Sequence, residues 1–158
     1  MTRLGFVLTA LLAVAGVMGP APVAAQDDAV GVTGAGEALF SSVATFNGVT
    51  LSGLKLGQGL FIAADGSAKG QFLAVLRGTS LLGAAQDIIV EGTVSGSSVV
   101  GNGSVTLGGT ATVDTGDGTL PMPGVPFTAT VSTSSLALIL NATALPTATV
   151  TAGSITIE

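Results

Sequence analysis

Gly57-Gln58-Gly59-Leu60-Phe61-Ile62-Ala63-Ala64-Asp65-Gly66-Ser67-Ala68-Lys69-Gly70-Gln71-Phe72 is the stretch on which the fold turns. Asp-Gly between two apolar runs is a strong hairpin signal, because a type I′ turn needs positive φ at both central positions. Read as a two-residue loop, Asp65-Gly66 pairs Phe61 with Gly70, Gly59 with Phe72 and Gly57 with Ala74. Each ring then lies over a glycine of the opposite strand, an arrangement that stabilises a tightly curved sheet. In this register one face holds Phe61, Phe72, Ala63, Ala68, Ala74 and Leu76 and reads as interior. The other holds Leu54, Leu56, Leu60, Ile62, Leu73 and Val75 among Gln58, Lys69, Gln71 and Arg77. Six large aliphatics there mark an interaction face, covered either by a partner copy or by residues 38–47 of the same chain.

The same chemistry extends in both directions. Val, Thr, Ala and Gly dominate, and glycine punctuates the chain every few residues, a vocabulary of strands and turns with little helix preference. A second hairpin is expected at Ser95-Gly96-Ser97-Ser98, pairing Val94 with Val99, Gly92 with Gly101, Val90 with Gly103 and Ile88 with Val105. Thr110–Val113, Phe127–Val131 and Thr147–Ile157 alternate as strands, with a bulge at Gly153-Ser154 where the apolar phase slips by one residue. Residues 114–126 carry Pro121, Pro123 and Pro126 and read as a loop, while residues 38–47 fit a short helix or a strand and bend. The expected architecture is all-β: about eight strands in a single antiparallel β-barrel or a strongly coiled β-sandwich. Glycine at inward positions favours a tight barrel or a strongly coiled sheet, since bare backbone lets strands bend and approach.

The N-terminus has a different grammar. Thr2 and Arg3 precede an apolar run from Leu4 to Val17, then Gly19-Pro20, then small residues at Val23-Ala24-Ala25. The run is too short for a bilayer span, and this zoning is that of a cleaved helical signal peptide. The division expected is residues 1–25 as signal peptide and 26–158 as one all-β domain, secreted to the extracellular space or cell surface, with the periplasm also open. No later segment is long and apolar enough to cross a membrane as a helix. The absence of Cys means that no disulfide staples the domain.

From Gly31-Val32-Thr33-Gly34-Ala35-Gly36 to Ala152-Gly153-Ser154-Ile155-Thr156-Ile157, the chain resembles small Gly- and Thr-rich domains of bacterial extracellular proteins. Those domains open on a Gly-rich strand and finish on Gly-Gly-x-Ile-x-Ile, and Ala152 stands where a glycine is usual. The resemblance implies an extracellular all-β domain and brings no activity or functional residues with it.

Charge and chemistry narrow the function. Beyond residue 25, Lys55, Lys69 and Arg77 stand against nine carboxylates, so nothing neutralises a phosphate backbone and nucleic acid is not an expected partner. Without His or Cys, the usual general base, the thiol nucleophile and the favoured zinc and copper ligands are missing. Asp87 and Glu91 alternate onto a solvated face, and Asp65 sits in a turn, so catalysis is not expected. The acidic loop Asp114-Thr115-Gly116-Asp117-Gly118 is the one candidate calcium site, through Asp114 and Asp117, although its spacing is not that of an EF-hand and a solvated turn accounts for it. No other cofactor is expected. Asn102-Gly103-Ser104 and Asn141-Ala142-Thr143 match the N-glycosylation pattern. The reading is a non-catalytic structural or adhesive β-domain that associates with itself, a matrix or the cell surface. The alternative is a binding module for a small apolar ligand or carbohydrate, although Trp and Tyr, the usual sugar-stacking side chains, are absent.

Overall fold

The computed structural model describes residues 29–96 and 99–158. The expected signal peptide, residues 1–25, lies outside them, as do Ser97 and Ser98. The strands are β1 (Val30–Phe46), β2 (Val49–Ile62), β3 (Ala68–Thr79), β4 (Ala85–Val94), β5 (Val99–Gly101), β6 (Ser104–Asp114), β7 (Met122–Ser132), β8 (Ser135–Leu140), β9 (Thr143–Ala144) and β10 (Ala148–Ile157). Long strands pair antiparallel in chain order, and β10 returns to pair with both β1 and β8, so β1, β2, β3, β4, β6, β7, β8 and β10 close a ring. The result is an up-and-down β-barrel, the more closed of the two expected architectures. Closure at the β8–β10 seam rests on Leu136 opposite Ala148 and Ser135 opposite Thr149, extended by the Val150 amide donating to the Ser134 carbonyl at 2.9 Å.

The first hairpin forms where expected, in a different register. Its loop has three residues: the Ala63 amide donates to the Ser67 carbonyl at 2.8 Å, and Gly66, at φ +80°, donates to the Ala63 carbonyl at 2.9 Å. The Ser67 amide is bonded to the Asp65 carboxylate at 2.8 Å. A turn followed by a left-handed glycine adds one residue to the loop, so Phe61 faces Lys69, Leu60 faces Gly70 and Gln58 faces Phe72. A one-residue slip exchanges the two faces of a strand. Leu54, Leu56, Leu60 and Ile62 therefore enter the core, and Phe61 points outward, 58 % exposed.

The second expected hairpin is corrected more deeply. Val94 pairs with Gly109, Gly92 with Ala111 and Val90 with Val113, all on β6. The turn lies at Asn102-Gly103, φ +52° and +72°, joining β5 to β6. Asn-Gly adopts a type I′ turn more readily than Gly-Ser, and the later register brings Val113 and Ala111 against Val90 and Gly92. Asn47-Gly48 makes the same turn between β1 and β2, so residues 38–47 are strand and turn, with no helix. Asn141 opens the turn from β8 to β9. The loop expected over residues 114–126 is shorter than that, because β7 begins at Met122 and Pro126 pairs with Thr110. The bulge in β10 is present, with Thr151 as its extra residue, two to three positions before the expected place.

Inside, the barrel is filled by aliphatic side chains around one aromatic pair. Phe72 and Phe127 stack with ring centroids 5.3 Å apart and planes 20° from parallel. Gly92 and Gly109 make room for them: a Cβ on Gly92 would come within 2.8 Å of the Phe127 ring, and one on Gly109 within 2.9 Å. Gln58 is the exception to the apolar interior. It lies on the inward phase of β2, and neither atom of its amide reaches solvent or a hydrogen-bond partner among the described residues.

Two stability predictions follow from this packing. Gly92→Ala should destabilise the domain by about 1–3 kcal/mol in denaturant melts, because the added methyl overpacks against Phe127. Gln58→Met keeps the volume and removes a buried, unpaired amide, so it should raise stability by about 1–3 kcal/mol in the same measurement.

Candidate functional site

The residues expected to form one interaction face are divided by the barrel wall. Leu54, Leu56, Leu60 and Ile62 are interior, while Leu73 is exposed and Val75 half-buried on the outside. The register slip at Gly66 is the cause, since it inverts β2 relative to β3. Burial within the chain thus holds for four of the six, in one core that includes Ala38, Ala44 and Phe46 of residues 38–47 together with inward residues of the other strands.

The acidic loop between β6 and β7 is organised by its own hydrogen bonds. The Asp114 Oδ1 accepts the Gly116 amide at 2.9 Å. The Asp117 Oδ1 accepts the Thr119 hydroxyl at 2.6 Å, the Thr119 amide at 2.9 Å and the Thr115 hydroxyl at 2.9 Å. Gln86 at the start of β4 fastens the loop from the side, its Nε2 donating to the Thr115 carbonyl at 2.7 Å. Donation from Thr119, then from Thr115, holds the Asp117 carboxyl down at about 2. The two candidate calcium ligands share a loop, yet their oxygens face the loop's own donors, whereas calcium takes six to eight oxygens. Among the described residues no cluster of three or more His, Cys, Asp or Glu side chains assembles.

Among the described residues, charged side chains lie on the outside. Glu37 meets Lys55 at 3.6 Å and Arg77 at 4.0 Å, exposed pairs that contribute little to stability. Asp87 faces Arg77 across β3–β4, and Glu91 faces Leu73.

What the sequence reading missed is the outer surface over β2 and β3. A groove of about 360 Å³ is lined there by the outward Gly57, Gly59, Gln71, Leu73 and Glu91, together with Gln58 and Phe72 of the inward phase. Its floor is bare backbone, because Gly57 and Gly59 take the outward positions of β2. Phe61 follows two residues on from Gly59, on the same face. The signal was present in the sequence as Gly-x-Gly-x-Phe, but the assumed register turned Phe61 inward and hid it.

A second outer feature gathers at one end of the barrel. The β3–β4 loop carries Leu81 and Leu82, 88 % and 96 % exposed, and the β6–β7 loop carries Leu120, 90 % exposed. Val43 projects from the end of β1 beside the Asn47-Gly48 turn. Up-and-down connection places these turns at the same end, and the opposite end carries Asp65-Gly66, Asn102-Gly103 and Thr133-Ser134.

No family model, curated protein or solved structure matches this chain.

The acidic loop predicts a pH dependence. The carboxyl of Asp117 is lowered from 3.8 to about 2, so its contribution is present above the unfolded value and is lost as pH falls through the folded one. Asp65, lowered by its bonds to Ser67, acts in the same direction. The melting temperature should therefore fall between about pH 4 and pH 2, and Asp117→Asn should make that fall shallower in thermal scans across the window.

Proposed function

We propose that the chain is an exported, non-catalytic β-barrel domain with a structural or adhesive role, working through its outer surface at or beyond the cell envelope. The observation that carries this reading is where the apolar groups lie. The interior is filled by side chains around the Phe72–Phe127 stack, while Leu81, Leu82, Leu120 and Phe61 stand in solvent on the outside. Exposed apolar groups of this kind mark contact surfaces. Much of the remaining wall carries threonine, as at Thr33, Thr93, Thr110 and Thr128. An apolar inside with a hydroxylated outside is the reverse of a membrane-spanning barrel. Export is supported by the grammar of residues 1–25. The scattered, outward carboxylates and the lack of His and Cys support the absence of catalysis.

Expression of the full chain in a secreting bacterial host tests the reading. The expected product begins at Gln26, lies outside the cytoplasm and is retained on envelope fractions. A Leu81→Asp/Leu82→Asp/Leu120→Asp variant should keep its melting temperature and lose at least tenfold in retention. A full-length cytoplasmic product, unchanged retention of the variant, or turnover of ester, glycoside or peptide substrates that Glu91→Gln abolishes would overturn it.

A further inference from the structure

Gly57 and Gly59 have no conformational or steric reason to be glycine. Neither has positive φ, and a Cβ at either would meet nothing within 4 Å. Gly92, by contrast, is held to glycine by the Phe127 ring, and Gly109 by the Thr93 carbonyl and the same ring. Glycine inside a strand weakens it, and it marks a bulge, a tight bend or a place where a ligand or another backbone comes close. Here two such glycines alternate on one outward face and form the floor of the groove over β2 and β3.

We propose that this groove binds an extended, neutral oligosaccharide. This rests on the adhesive reading and names its chemistry. The volume, about 360 Å³, is within the range of small-molecule sites, roughly 300–1,000 Å³. The flat glycine floor admits a pyranose ring laid against the sheet, a contact that any side chain at those positions would block. Leu73 forms an apolar wall of the groove, and outside its lining, two residues along the same face from Gly59, the exposed ring of Phe61 offers the stacking surface that Trp or Tyr supplies elsewhere. Gln71 brings an amide that both donates and accepts, and Glu91 brings acceptor oxygens with no ion pair among the described residues, a set matched to hydroxyls. The single carboxylate disfavours an anionic ligand. A second copy of the chain is disfavoured too, because two strongly acidic chains would each bring a Glu91 to the contact.

Isothermal titration of the exported product with cellohexaose, chitohexaose and laminarihexaose tests the site. At least one probe should bind with a Kd of about 1 mM or tighter, and Gly59→Val and Phe61→Ala should each weaken it at least tenfold. Gly59→Val should melt no lower than the parent, since its added side chain meets open space and suits a strand. Gly108→Val, at another outward glycine with open space, should leave binding unchanged. Should Gly59→Val fail to fold, Gln71→Ala carries the same expectation of a tenfold loss. Binding of no probe, or affinity retained in Gly59→Val or in a substituting Gln71→Ala, overturns the proposal. Envelope retention that survives in Gly59→Val while no probe binds sinks this site and leaves the adhesive reading standing; loss of retention in the leucine variant with probe binding intact does not touch the site.

Discussion

Two phenylalanine rings stacked inside a narrow ring of strands impose the constraint that the rest of the barrel obeys. Phe72 on β3 and Phe127 on β7 come from opposite walls, and their centroids can sit 5.3 Å apart only if the intervening wall gives way. It does so at Gly92 on β4, opposite Ala111, and at Gly109 on β6, opposite Val94, both beside the Phe127 ring. Interiors are packed to crystal-like density, so an aromatic pair of this size and the missing side chains beside it form one unit. The small residues that the inward phase carries at Ala74, Ala111 and Ala129 serve the same geometry.

Asparagine turns set the registers that let this unit form. Asn47, Asn102 and Asn141 all adopt positive φ, and the first two are followed by glycine in the same region. Asparagine tolerates that conformation better than other side-chain-bearing residues, so each turn defines a hairpin locally before distant strands meet. The two glycosylation-type motifs, at Asn102 and Asn141, coincide with these turns, which accounts for both asparagines in structural terms. The Asp65 hairpin uses a different device, a three-residue loop with a left-handed Gly66, and that extra residue decides which side of β2 faces in.

The outside follows a different rule from the inside. Hydroxyls, a few exposed ion pairs and bare backbone make up the wall, with the large apolar groups concentrated at one end and beside the Gly57–Gly59 groove. The sequence holds no imidazole or thiol, and the described carboxylates are spread over strands and turns. Even the acidic loop uses its charge internally, Asp117 tying Thr115 and Thr119 together.

The sequence by itself determined that the domain is all-β and antiparallel, with only residues 38–47 left open between helix and strand, and that its charge is sparse and negative. Those properties are local: alternation, turn dipeptides and composition act within a few residues. It did not determine which face of β2 is inside. Leu60, Phe61 and Ile62 are consecutive and all apolar, so both phases of the strand look like core, and a loop of two residues or three chooses between them. Only the closed ring resolves that choice, because four aliphatics, Leu54, Leu56, Leu60 and Ile62, bury more apolar surface inward than Phe61 with two glycines would. The partner of β4 was likewise out of reach, since Val90 finds apolar or small residues in either register and the ladder to β6 is settled by how the whole barrel closes. The outer groove became visible only once that closure had turned Gly57, Gly59 and Phe61 to the same side of the wall.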